Sequence, residues 1–410
     1  MRKMVFISAY LFLTIVLLGC TQKTEMEAVV EKGLSAATKH AVLMAEALKD
    51  EKDALPRTID KDGNLITSKS WWWTSGFFPG TLWYLYEVSG DTLLKYYAEE
   101  YTSRVEKEKY NKGNHDVGFM LYCSFGNGYR LTENEKYRKV LLKGAESLST
   151  RFREKTGIIR SWDFKKDLWQ YPVIIDNMMN LELLEWAAKN SENSNYDRIA
   201  RSHADVTMAN HFRPDYSCWH VVSYDTITGI PEIKQTRQGY SDNSAWARGM
   251  AWALYGYTMM YRETTYEQYL EQARHIADFI LDHPRMPEDG IPYWDFDDPA
   301  IPNTLRDAST GAIMASAFIE LSSFVEKPLS KKYLNLAEQQ LKTLTSPEYL
   351  AEPETNGNFI LKHSVGSMPE NSEVDVPLTY ADYYYVEALV RYKKLILRKE
   401  LSTDSTDSTD

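Results

Sequence analysis

Cysteine is scarce: the 410-residue chain has three. One of them, Cys20, closes an N-terminal apolar run. That leaves Cys123 and Cys218, whose spacing does not require a bond, so two buried free thiols are expected rather than a disulfide framework. No Cys/His spacing that would hold a metal occurs. A Walker loop, a dinucleotide fingerprint and a nucleophile elbow are also missing. The motifs therefore call for no metal and no cofactor. Positive charge is in deficit, with 47 Lys and Arg against 58 Asp and Glu and a net charge of −11. This argues against nucleic acid as a partner and against adsorption to an anionic membrane surface, and no obligate protein partner is evident. Long apolar runs are absent apart from residues 5–18, which fall short of the roughly 20 needed to span a bilayer.

That run follows Arg2 and Lys3 and ends in Leu17-Leu18-Gly19-Cys20. The pattern reads as a bacterial lipoprotein signal over residues 1–19 with lipidation of Cys20, and 20–25 as the lipidated tether. The expected location is outside the cytoplasm, facing the periplasm or on the cell surface, with the membrane touched only through the lipid. Residues 401–410, dominated by a Ser-Thr-Asp repeat, read as a disordered tail. The domain between them spans 26–400.

Aromatic residues are abundant: 13 % of the chain, with 11 Trp and 28 Tyr. Flat faces with polar edges suit carbohydrate rings, although large helical cores use them too. Apolar periodicity is helical nearly throughout and divides into twelve segments, among them 76–89, 116–130, 133–153, 173–190, 243–262, 264–283, 308–326 and 379–398. Thr132 with Glu135 and Thr264 with Glu267 fit capping boxes, and Pro172 suits a first helical position. Short and long joins alternate along the chain. Six hairpins closed into a toroid, an all-α (α/α)6 barrel, would put the long joins at one mouth. It would also bring Asp116, Asp176, Asp242 and Asp307 there, near the starts of alternate helices.

Two of these aspartates stand out. Asp116 lies in Asn114-His115-Asp116-Val117-Gly118-Phe119, and Asp176 in Ile174-Ile175-Asp176-Asn177-Met178-Met179. Apolar neighbours dehydrate a carboxyl and raise its pKa toward the range useful for proton transfer. Asp116 could instead cap its helix, and Asp176 could be a buried structural carboxyl. The stretch 237–252 holds Arg248 and Trp252 four residues apart on one helical face. Together they offer a carboxylate clamp beside a stacking platform, or else Arg248 pairs with Asp242 to hold the helix start. His115 and His220 read either as substrate donors or as loop histidines. Trp71-Trp72-Trp73 cannot all enter one core, so at least one should face the mouth, and Trp162 is a further stacking candidate.

The Trp-Thr-Ser-Gly-Phe stretch from Trp73, the segments around Asp116 and Asp176, and Gly239-Tyr240-Ser241-Asp242-Asn243-Ser244-Ala245-Trp246-Ala247-Arg248-Gly249 resemble the unsaturated glucuronyl hydrolases of glycoside hydrolase family 88. The resemblance covers roughly residues 30–398. It implies the (α/α)6 barrel and release of a 4,5-unsaturated uronate from the non-reducing end of lyase-generated glycosaminoglycan oligosaccharides. It also implies that Asp176 protonates carbon 4 and then serves as base for water, while Asp116 holds sugar hydroxyls and influences the charge of Asp176. His115, His220, Gln238, Arg248 and Trp252 are implied substrate contacts, and Trp73 and Trp162 stacking residues. Members acting on sulfated substrates carry Ser-x-x-Ser-x-Lys near the C-terminus. Here Ser364 and Ser367 are present and Pro369 stands at the lysine position. A hydrolase of unsaturated rhamnogalacturonyl fragments of pectin and a glycan-binding lipoprotein without activity are the alternatives.

Overall fold

A computed structural model describes residues 23–397. The signal segment, Cys20 and the 401–410 tail lie outside the described residues.

Helices come in two kinds. Those that alternate apolar and polar faces are α1 (Glu25–Leu48), α3 (Thr92–Ser103), α6 (Glu135–Ser149), α8 (Asn195–Asn210), α10 (Glu267–Asp282) and α12 (Lys327–Leu344). In α10 the buried residues Tyr269, Leu270, Ala273, Ile276, Ala277 and Ile280 recur at three- and four-residue spacing, the stripe of a helix with one face in water. The others are α2 (Phe77–Ser89), α4 (Val117–Leu121), α5 (Asn127–Thr132), α7 (Leu181–Lys189), α9 (Ala247–Thr264), α11 (Ala308–Leu321) and α13 (Thr379–Tyr392), of which α4, α9, α11 and α13 are buried over most or all of their length. Every residue of α11 is buried. This second group forms an inner ring and the first an outer ring. One π-helical turn, Tyr122–Gly126, joins α4 to α5 into a single inner element, giving six inner and six outer helices among the described residues. Inner α13 packs on α1, α2 and α11, which closes the ring into the (α/α)6 barrel.

The inner-to-outer turns are tight, as at Gly90, whose left-handed φ of 69° ends α2. The outer-to-inner joins are long and carry all the strands among the described residues. β1 (Leu55–Ile59) pairs with β2 (Leu65–Ser68), and β3 (Phe152–Arg153) with β4 (Ile158–Ile159). β5 (Pro172–Ile174), β6 (Val221–Tyr224) and β7 (Pro231–Gln235) form a three-stranded antiparallel sheet. β8 (Ser364–Ser367) and β9 (Ser372–Val376) form a hairpin. These pieces build the walls of one mouth.

Several local expectations are corrected. Pro172 opens β5, not a helix, and Asp176 sits in a 3-10 turn, Ile175–Asn180, ahead of α7. Thr132 turns its hydroxyl back to the Gly128 carbonyl at 2.6 Å, and Asn134 caps α6 by accepting from Lys136 N–H. Thr264 likewise donates to Met260 O at 2.7 Å. In both cases a hydroxyl inside the last turn of a helix finds a carbonyl of its own helix before it can reach the next one. A reciprocal capping box does form, at Thr24 and Glu27.

Candidate active site

The 3-10 turn and the start of α4 face each other at the open mouth, above a cleft of about 740 Å³. Gly118 permits this approach, because a Cβ there would lie 2.5 Å from Asn180 Cα. Asn180 ties the elements together. Its Oδ1 accepts from Phe119 N–H at 2.8 Å, and its amide donates to Asp116 Oδ1 at 3.4 Å. Asp116 occupies the position before α4, yet its side chain makes no cap hydrogen bond. It is free for the cleft.

Both carboxyls are largely withdrawn from water, with side chains 14 % exposed. Burial raises Asp116 to about 7, against smaller lowering by the Asn180 amide and Arg151. Burial also raises Asp176 to about 7; Arg248 opposes the shift and the neighbouring Asp116 adds to it. Such a pair shares its protons near neutral pH, so a carboxylic acid is available where solvent would leave only carboxylates. His115 Nε2 lies 3.4 Å from Asp116 Oδ2, and burial drops its pKa to about 3. His220 Nε2 lies 3.7 Å from Asp176 Oδ2 and is likewise held neutral by burial.

Trp73, His115, Asp116, Trp162, Asp176, Gln238, Arg248 and Ser367 all border the cleft. Trp73 packs on Phe77, Phe119 and Tyr380. Trp162 stacks on Phe164, with ring centroids 5.1 Å apart. His220, Trp252 and Ser364 lie beneath the cleft wall instead. Trp252 is fully buried, and its indole nitrogen has no protein acceptor while lying near enough to Asp176 to lower it. Ser364 is fully buried with an unpartnered hydroxyl. Cys123 and Cys218 are free, buried thiols.

Arg248 does not pair with Asp242, whose carboxylate accepts from Thr236 N–H at 2.8 Å. Its partner is Asp307, at 3.1 Å, the N-cap of α11. Sequence reading placed Asp307 at the mouth without a role, and it passed over Asn180 and Tyr380. Tyr380 is buried at the cleft with a hydroxyl that has no protein partner. A periodic pattern shows that a residue is buried, not which groups meet it across the ring.

The arrangement is a protonatable carboxyl pair, a guanidinium beside it and aromatic walls around an open cleft. A family model described as Glycosyl Hydrolase Family 88 matches residues 44–395. The chain belongs to glycosyl hydrolase family 88. An unsaturated glucuronyl hydrolase of Formosa agariphila is 44% identical over 409 residues, covering 97% of this chain and 100% of that protein. Another, from Bacillus sp. strain GL1, is 31% identical and covers 86% of this chain and 94% of its own length. Among solved structures, an unsaturated glucuronyl hydrolase specific for heparin superposes with a TM-score of 0.87 at 49% identity, over 90% of this chain and 98% of that one. This family 88 chain is a glycosidase, and its relatives share the barrel found here.

Proposed function

We infer that this glycosidase removes the 4,5-unsaturated uronic acid from the non-reducing end of glycosaminoglycan fragments left by polysaccharide lyases. The observation that carries the reading is the pair of carboxyls held near pKa 7 beside a buried guanidinium. The substrate's double bond is an enol ether, nucleophilic at carbon 4. Asp176 delivers its proton to carbon 4, and positive charge develops at carbon 5 and the ring oxygen. The carboxylate so formed takes a proton from water as the water oxygen bonds to carbon 5, which returns Asp176 to its acid form. The resulting hemiketal opens and the glycosidic bond is lost by rearrangement. Because no displacement occurs at the anomeric carbon, the carboxyl-separation rule for retaining and inverting enzymes does not apply.

Asp116 holds sugar hydroxyls and, by its charge, favours the proton on Asp176. Arg248 takes the uronate carboxylate, His115 and Gln238 donate to the sugar, and Trp73 and Trp162 stack on its rings. Ser367 offers a hydroxyl at the cleft, with Ser364 behind it. His220 and Trp252 act on the substrate through Asp176. Glycosaminoglycan is preferred to pectin because the relatives include unsaturated chondroitin disaccharide hydrolases of Streptococcus beside the heparin-specific structure. Assaying unsaturated disaccharides that differ in linkage and sulfation, with an unsaturated rhamnogalacturonyl fragment alongside, tests this. Turnover of the pectin fragment alone, or of none of the glycosaminoglycan disaccharides, would overturn it. The enzyme is also proposed to be an exported lipoprotein anchored through Cys20. Cys20→Ser should move it from the membrane to the soluble fraction, and unchanged membrane association would contradict the anchor.

A further inference from the structure

Arg248 is buried, and most of its hydrogen-bonding capacity is already committed. A guanidinium carries five N–H donors. Nη1 donates to Asp307 Oδ2 at 3.1 Å and to the carbonyl of Val365, and Nη2 donates to the carbonyl of Gly366. Among the described residues no acceptor meets the Nε–H or the second Nη2–H. Those two lie on one edge of the planar group, the fork that takes a carboxylate through two parallel bonds.

Asp307 controls which edge stays open. It is buried, and every contact on it is a donor: Ser309 N–H at 3.0 Å, Ser309 Oγ at 2.6 Å, Thr310 Oγ1 at 2.7 Å and Val365 N–H at 3.2 Å, besides Arg248. One carboxylate thus fixes the start of α11, the strand β8 that supplies the Val365 and Gly366 carbonyls, and the guanidinium. Gly366 O also accepts from Gln238 Nε2 at 3.0 Å, so the hairpin aligns both cleft groups.

We propose that Asp307 is a positioning residue for the glycosidase reaction: it anchors one side of Arg248 so that the Nε/Nη2 edge is presented to the carboxylate of the unsaturated uronate. The proposal rests on Arg248 being the carboxylate ligand. Asp307 also balances a charge. The charged and titratable groups facing Arg248 are Asp307 at the N-cap of α11, Asp176 from the 3-10 turn, Tyr380 from α13 and His220, and Asp176 in turn faces Asp116, His220 and Cys218. With Asp307 neutralised, more of the guanidinium's field falls on Asp176 and favours its ionised form.

The experiment compares kcat/KM for an unsaturated disaccharide and for its uronate methyl ester. Taking the acid-to-ester preference across enzymes cancels the intrinsic difference between the two substrates. Asn caps helices as well as Asp does, so Asp307→Asn keeps the cap and removes the charge. Its acid-to-ester preference should fall by roughly 10-fold or more relative to the wild type, a loss in the range for hydrogen bonds to charged groups, and the alkaline limb of its pH profile should move to lower pH. Equal losses on both substrates with an unmoved limb would overturn the proposal and leave Asp307 merely structural. Should that variant not fold, Thr310→Val keeps the carboxylate and removes one donor. The preference should then fall roughly 2- to 10-fold through KM, and an unchanged preference overturns the proposal. Arg248→Gln separates the underlying reading: if it keeps the wild-type preference, Arg248 is not the carboxylate ligand and the proposal falls with it.

Discussion

His220 presents Nε2 to Asp176 Oδ2 at 3.7 Å because its other nitrogen is occupied. Nδ1 accepts the backbone N–H groups of both Arg237 and Gln238, each at 3.1 Å. A neutral imidazole whose Nδ1 accepts must carry its proton on Nε2. The ring thus aims a donor at the proton-transfer carboxyl while holding the loop that bears Gln238. The two tasks are separable. His220→Asn keeps an acceptor near Nδ1 and loses the donor, so kcat should fall roughly 10- to 100-fold with KM little changed. His220→Gln reverses this and should raise KM. Identical kinetic defects in both variants would contradict the assignment.

Gly118 sets the approach of α4 to the 3-10 turn. In Gly118→Ala the new Cβ would sit 2.6 Å from Asn180 Oδ1, the atom that accepts from Phe119 N–H. Overpacking of this kind costs about 1–3 kcal/mol, and it should displace Asp116 as well. Denaturant unfolding should show that loss together with lowered activity. A stable, fully active variant would mean that the close approach is not required.

The closed end of the barrel is held by a buried ion network. Arg391 donates to Ser316 O and Tyr255 and pairs with Glu320 at 3.0 Å and Glu387 at 3.5 Å. Removing one partner of such a network leaves the others charged and buried. Arg391→Met should therefore destabilise by about 3–5 kcal/mol, read by chemical denaturation, while the folded fraction keeps its turnover.

Stability should decline as pH rises toward about 8. Burial raises Asp116, Asp176, Glu182 and Asp382 to about 7 and Glu185 to about 8. The folded state therefore holds protons that the unfolded carboxyls have already released. This contribution is full below the unfolded carboxyl range and is lost as pH rises through 7 to 8. The buried histidines act in the opposite sense: His115 and His203 are lowered to about 3, so their contribution is lost as pH falls below the ordinary histidine range. Between about pH 6.5 and about pH 8 only the carboxyls act, and unfolding free energy should drop and then level off. Glu185, buried with an unpartnered Oε1, should account for part of it. Glu185→Gln should shallow the drop, and an identical slope would show that the group is solvated.

The barrel was legible because helical periodicity divides the chain into twelve segments and short joins alternate with long ones between them. Asp116 and Asp176 were legible because a carboxyl among Ile, Met and Gly is chemically out of place. The alternative that Arg248 binds Asp242 shows where sequence reading stops. Both carboxyls stood near helix starts, and only the packing of α11 beside α9 favours the residue 59 positions away over the one six positions back. Pro172 was misplaced for a related reason: its apolar run pairs with β6 through a connection of tens of residues, and a short buried strand has the same local composition as a helix start.

The central claim is that Asp176, un-ionised near neutral pH, protonates the substrate's alkene. Its most direct test is the loss of the conjugated uronate's ultraviolet absorbance under wild-type enzyme and under Asp176→Asn, with circular dichroism confirming equal folding. The rate should fall by roughly 10²- to 10⁴-fold or more, the range for removing a general acid. A folded Asp176→Asn enzyme that bleaches the chromophore at the wild-type rate would contradict the account.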